Sequence, residues 1–212
     1  MSEIPNIIPL YRILHIDNLD YIIKIGKLTC HNHPEKDPNY IGIGDETLIK
    51  SRSNRSIKLE PFGNFSDYVS FYFTNRSPML YVIKKGKENV IKREMSDIIY
   101  LVTKYDIIKN SGLKYVYFNG HAYQEISDCY NDDSGLETID WDVINDRIWR
   151  NTDDDSDRQR RKQAEFLVYK EISLNYIIGI GVYNSNIKEE IDVKIKKNNL
   201  NLKCKVKHDW YY

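Results

Sequence analysis

Glu165 stands where a polar stretch ends and an apolar one begins, in Gln163-Ala164-Glu165-Phe166-Leu167-Val168. A carboxylate at the mouth of a buried strand can stabilise a developing cation. A partly exposed glutamate at a strand edge would leave the same local pattern. Just upstream, Arg158, Arg160, Arg161 and Lys162 form a basic block. Such a block either meets the phosphates of a nucleic acid or is solvated and paired with nearby acids, and the run Asp153 to Asp155 supplies such acids. Arg52 and Arg55, in IKSRSNRSI, are guanidinia suited to forked contact with phosphate. His15, His31 and His121 can bind, titrate or hold a core carbonyl. Tyr72 offers a ring for stacking. Around it Tyr68, Ser70 and Tyr72 alternate with Val69, Phe71 and Phe73, so one face of a strand is core and the other faces a cleft.

The elements that must position these residues follow from period and punctuation. Strand patterns cover Ile8 to His15, Leu28 to His31, Tyr68 to Phe73, Asp97 to Thr103, Lys114 to Phe118, Phe166 to Tyr169, Tyr176 to Val182 and Leu202 to Val206. Helices are expected after Asp17 or Asn18, stopping at Gly26, and after Asp45 through Arg52. Others are expected after Ser77-Pro78, over Tyr105 to Lys109, over Ser134 to Asp146 and over Lys188 to Lys197. Residues 151–162 read as an exposed loop or a solvated helix start. No repeat or flexible linker interrupts the alternation, which predicts one mixed α/β domain over residues 1–212.

Several function classes are excluded. G-x-G-x-x-G, the P-loop, H-E-x-x-H and G-x-S-x-G are all absent. The three cysteines are odd in number and far apart, which predicts neither a disulfide framework nor a zinc site, and suits a reducing cytoplasm. No secretory leader is expected at the N-terminus, and no apolar run is long enough to span a membrane. The net charge of zero lacks the basic footprint usual in nucleic-acid binders.

Five segments, in order, resemble the DarT family, the toxin half of the DarT/DarG toxin–antitoxin systems. They are LYRILHIDNLDYIIKIGKL with the following His31-Asn32, then IKSRSNRSI, DYVSFYFTNRSPMLYVI, RQRRKQAEFLVYK and the terminal KHDWYY. The resemblance implies an ADP-ribosyltransferase fold of the PARP and diphtheria-toxin kind, a mixed α+β domain with a central split β-sheet forming a cleft and short helices around it. It implies NAD⁺ as co-substrate without a metal, and transfer of ADP-ribose to a thymine base of single-stranded DNA. A DarG-like macrodomain antitoxin would be the partner of a monomeric toxin.

By the same resemblance Glu165 and Arg52 are the catalytic residues, with Arg55 a competing candidate for the essential arginine or for DNA contact. Because arginine is almost never deprotonated, Arg52 is better suited to stabilising a thymine anion than to acting as a base. His15, Ile16, Asn18, His31, Asn32, Arg52, Tyr72 and His121 are expected at the NAD⁺ pocket; Asn18 could equally be a helix cap, and the surroundings of His121 match poorly. Arg158, Arg160, Arg161 and Lys162 are expected to meet DNA, with bases stacking on Trp149 or Tyr169. Trp210, Tyr211 and Tyr212 are expected to dock on the body of the domain. Rival readings keep the fold but change the acceptor to guanine, RNA, protein or water, or drop catalysis for nucleic-acid binding alone.

Overall fold

The computed structural model describes residues 3–87 and 89–212. Its first half holds strand β1 (Pro9–His15), helix α1 (Leu19–Ile25), β2 (Lys27–Thr29), α2 (Glu46–Ser53), β3 (Tyr68–Tyr72), α3 (Pro78–Lys85), β4 (Ile98–Lys104) and α4 (Tyr105–Asn110). The second half holds β5 (Tyr115–Phe118), β6 (Cys129–Tyr130), α5 (Trp141–Asn145), α6 (Arg158–Arg161), β7 (Glu165–Tyr169), β8 (Glu171–Ser173), β9 (Gly179–Val182), α7 (Ser185–Lys197) and β10 (Lys203–Val206). The main sheet has the order β10-β9-β4-β1-β3-β7-β5-β6, and β2 pairs with β8 in a second, two-stranded sheet.

The main sheet splits in its middle. β1 and β4 pair along their whole length, from Pro9↔Lys104 to His15↔Ile98. β3 and β7 do the same, from Tyr68↔Tyr169 to Tyr72↔Glu165. Between β1 and β3 only Tyr11↔Tyr72 is in register, and beyond that pair the strands part. Arg12 bridges the gap, its Nη1 donating to the Ser70 carbonyl at 2.9 Å.

The two faces of the sheet explain the alternation around Tyr72. Val69 and Phe71 point into the largest core with Leu10, Leu14, Phe166 and Val168, and Phe73, just past the strand, joins them. Each fully buried phenylalanine there contributes roughly 1.5–3 kcal/mol by burial. The opposite face carries two smaller apolar patches. One lies over β5 and β7, where Ile57 and Phe65 cover Val116, Phe118 and Leu167. The other lies over β1 and β4, where Leu80, Ile83 and Tyr211 cover Ile98 and Tyr100. Tyr72 and Glu165 sit in the row between these patches, as their register requires.

Local signals set the helix starts. Asp45 accepts from the Leu48 N–H at 3.0 Å, and Ser77 accepts from the Leu80 N–H ahead of Pro78. Gly26 ends α1 with φ 71°, a conformation that side-chain-bearing residues seldom adopt. The terminal aromatics dock as expected: the Tyr211 hydroxyl donates to the Ile98 carbonyl at 2.9 Å, and the Tyr212 ring lies under the Arg76 guanidinium at 4.4 Å.

The helix expected from Ser134 to Asp146 is two pieces, a 3-10 stretch over Asp133–Thr138 and then α5. Asp140 explains the break, because its carboxylate accepts from the Val143 N–H and starts a new helix. No helix among the described residues is long and apolar enough to cross a membrane.

Candidate active site

Glu165 opens β7 and is 2% exposed. Pairing across the sheet puts Tyr72 on one flank and Phe118 on the other. Its Oε2 accepts from Arg52 Nη2 at 2.7 Å. Its Oε1 accepts from the backbone N–H of Ala122 at 3.2 Å. A buried carboxylate is tolerable only with such partners. The two donors come from segments distant in sequence, so Glu165 is where α2 and the His121 loop converge.

Arg52 comes from the last turn of α2 and also lies over the Phe65 ring at 4.8 Å. Burial works against its charge, but the Glu165 carboxylate more than offsets this and raises its pKa above the ordinary guanidinium value. Arg52 is therefore a permanent cation here. Burial, followed by the Glu165 charge, raises the Tyr72 hydroxyl well above the usual phenol range, so Tyr72 is a neutral donor. His121 lies in the field of Glu165, Arg52 and Arg55. Burial first, with the two guanidinia, lowers its pKa. Its Nδ1 accepts from the Tyr123 N–H at 3.3 Å, which leaves the proton of the neutral ring on Nε2.

At the other side of the split, His15 ends β1 and is buried, its Nδ1 accepting from the Asp17 N–H at 3.3 Å. Ile16 is buried against the core. The site thus has a permanently charged guanidinium, a fixed carboxylate and a neutral imidazole beside a gap in the sheet. That set suits an anionic ligand whose reacting carbon becomes electron-poor.

A family model described as "ssDNA thymidine ADP-ribosyltransferase, DarT" matches residues 11–212. The chain belongs to the DarT family. A DarT relative from Escherichia coli O127:H6, a "DNA ADP-ribosyl transferase", is 30% identical over 203 residues, covering 96% of this chain and 93% of its own. The solved Thermus sp. 2.9 DarT in complex with ADP-ribosylated ssDNA superposes with a TM-score of 0.92 at 30% identity, covering 100% of this chain and 99% of that one. The same protein in complex with NAD⁺ gives 0.84, covering 99% and 100%. The fold is therefore the ADP-ribosyltransferase fold of DarT.

Within that DarT fold the expected site residues divide. Arg52, Glu165, Tyr72 and His121 come together. Arg55 does not touch Glu165; it donates to the Tyr123 carbonyl and lies over the Tyr123 ring. Asn18 holds the N-cap position of α1 but makes no side-chain cap bond, and it is closed off from solvent. It is 2% exposed, and its side chain bonds both backbone groups of Ile41, at 2.9 and 2.8 Å. It thereby clamps the loop before α2. Asn18→Ala leaves those groups without partners and should destabilise the protein by about 1–3 kcal/mol. Thermal denaturation checks this, and an unchanged midpoint would count against the clamp.

His31 and Asn32 are exposed and lie beyond β2 in a turn. Asn32 bonds Asp67 at 3.2 Å, at the end of the β3–β7 ladder opposite Tyr72 and Glu165. The strand expected there ends at Thr29, and its continuation does not face the site. Tyr169 lies at that same far end, packed on Tyr68. Trp149 packs instead against Tyr81, the two rings tilted by 53°.

The basic block is corrected most. Arg158 pairs with Asp146 and Asp155, Arg160 with Asp157, and Arg161 with Asp140, Asp155 and Asp157. These cations staple the segment before Glu165 to itself and to α5. Lys162 cannot meet DNA, because it is 1% exposed and its Nζ donates to the carbonyls of Val143, Ile144 and Asp146. These carbonyls close the C-terminal end of α5, where the helix dipole favours a cation. Burial pulls the Lys162 pKa down to about 8. Lys162→Met strips three carbonyls of their donor and should lower Tm by roughly 3–10 °C. The unfolded lysine keeps its proton to higher pH than the folded one, so wild type gains on Lys162→Met as pH rises above about 8. A gap that narrows over that range would contradict this.

Sequence reasoning missed the Ala122 N–H and the Phe65 ring. A backbone donor leaves no residue-type signal. Arg12 did leave one, as a lone cation inside an apolar strand. Among the described residues His33, Glu35 and Glu171 also cluster within 4.8 Å, but the Lys27 ammonium already lies 2.7 and 2.8 Å from the two carboxylates.

Proposed function

We propose that this protein transfers ADP-ribose from NAD⁺ to a thymine base of single-stranded DNA and releases nicotinamide. The observation that carries this reading is Glu165, buried beside the split and held between Arg52 and the Ala122 N–H, in a chain that matches DarT over nearly its whole length. NAD⁺ lies along the split, near His15, Ile16, Tyr72 and Arg52. The ribose–nicotinamide bond breaks, and its electron pair leaves with neutral nicotinamide. The ribose carbon becomes cationic, and the Glu165 carboxylate stabilises that charge. A ring nitrogen of thymine forms the new bond and releases its proton to water. Arg52, fixed as a cation, stabilises the base as negative charge develops and does not take the proton. The Thermus relative bound to NAD⁺ and to ADP-ribosylated ssDNA supports both substrates. A macrodomain antitoxin that removes the modification is the partner the family membership suggests.

Neutral His121 offers its Nε2–H to the reacting groups. Because its pKa is lowered, this form persists as pH falls through the ordinary histidine value of about 6.5. Protonation would fall on Nδ1 and break its bond from the Tyr123 N–H, unseating the ring, so the transfer rate should stay level through that value and fall only below it. His121 also contributes stability that is complete above its unfolded pKa and is lost as pH falls through its folded one. An acidic limb centred on the ordinary value would show that His121 is not held neutral. The experiment that tests the reading as a whole is incubation of a single-stranded oligonucleotide with the protein and NAD⁺, read by mass.

A further inference from the structure

Glu165 has two flanks, and the proposed donor site uses one of them. The register places Tyr11, Tyr72, Glu165, Phe118 and Cys129 in one row across the sheet. NAD⁺ occupies the Tyr11 and Tyr72 end, where the sheet splits. On the Phe118 and Cys129 end lies a groove of about 400 Å³. Its floor is apolar, with Ile57, Ala122 and the stacked rings of Phe65 and Phe118, whose centroids are 5.8 Å apart. Its rim carries Arg55, Lys58 and Glu125. Two of its walls belong to the active site: Ala122 donates to Glu165, and Phe65 carries Arg52 on its ring.

We propose that this groove binds the base of the nucleotide next to the modified thymidine in the acceptor strand, and so sets sequence preference. The volume and the balance of apolar floor with few polar groups suit one nucleotide. The apolar floor and its aromatic walls take up a base. Arg55 keeps N–H donors beyond the one given to Tyr123, and with exposed Lys58 it meets the backbone phosphate. The Glu125 carboxylate only accepts hydrogen bonds, so it favours a base that presents an exocyclic amino group, as cytosine, adenine and guanine do, over thymine, whose one edge donor is its ring N3–H. Glu165 itself and Arg52 do not line the groove, so the thymine at the reacting carbon occupies separate space.

This proposal rests on single-stranded DNA being the acceptor, and the test separates the two. Oligonucleotides randomised on both sides of one thymidine are incubated with NAD⁺, and the modified fraction is sequenced. Wild type should prefer an amino-bearing base at one adjacent position. Glu125→Ala should cut that preference by about fivefold or more. Cys129→Phe, which fills the groove, should raise KM for the oligonucleotide and flatten the preference, while NAD⁺ affinity stays at the wild-type value. Lys58→Glu, on the rim, should raise KM without changing the preference. If Glu125→Ala and Cys129→Phe both bind NAD⁺ and keep the wild-type preference, the groove is not the subsite, although the acceptor stands. If wild type modifies no oligonucleotide at all, the acceptor and the groove fall together.

Discussion

Replacing Glu165 with Gln should leave a folded protein that binds NAD⁺ and transfers ADP-ribose about 10²–10³-fold more slowly. The substitution keeps the shape of the side chain and an acceptor for the Ala122 N–H. It removes the negative charge that the ribosyl cation needs. It also turns a donor toward Arg52 if the amide nitrogen takes the place of Oε2, now 2.7 Å from that guanidinium. The burial of Glu165 strengthens the effect, because a charge acts more strongly where water is excluded. The check pairs a single-turnover transfer rate with a thermal melt and NAD⁺ titration of the same preparation. Transfer near the wild-type rate would take Glu165 out of the mechanism.

Arg52→Ala should be the more damaging change, because it costs stability as well as rate. It leaves the Glu165 carboxylate buried without its cation, a defect worth about 3–5 kcal/mol. It also frees α2. That helix buries none of its own residues, and the Arg52 bond to Glu165 and its contact with the Phe65 ring tie it to the sheet. Hydrogen exchange should rise across α2 in the variant while the β3–β7 ladder stays protected. Arg52→Lys should not restore the rate, since an ammonium cannot serve Glu165 and a substrate through one planar fork. The double variant Arg52→Ala, Glu165→Gln should be more stable than Arg52→Ala alone, because no orphaned charge remains. If the double variant is instead less stable by the sum of the two single effects, the pair is not coupled.

Much of this molecule was legible because short-range rules carried it. The period around Tyr72 put Phe71 and Tyr72 on opposite faces, and Ser77-Pro78 and Asp45 marked helix starts; only the folded structure shows that the Phe71 face is the core. The order of the five segments marked the family. What failed depended on long-range pairing. The charge of Arg158 and Lys162 was read as available to DNA, but availability is decided by Asp146 and by the end of α5. Asn18 had two plausible local roles and serves a third, set by Ile41 far along the chain. Residues 31 and 32 were placed by continuing a strand whose partner β8 ends the pairing at Thr29. Arg52 and Arg55 were inseparable by spacing, and only the folded loop shows which one reaches Glu165.

The most direct test is mass spectrometry of a mixed-sequence single-stranded oligonucleotide after incubation with the protein and NAD⁺. The expected result is one added ADP-ribose mass, located by fragmentation on a thymine base, and far less of it with Glu165→Gln over the same time. Release of nicotinamide with no mass added to the DNA would contradict DNA as the acceptor and leave an ADP-ribosyltransferase fold acting on something else.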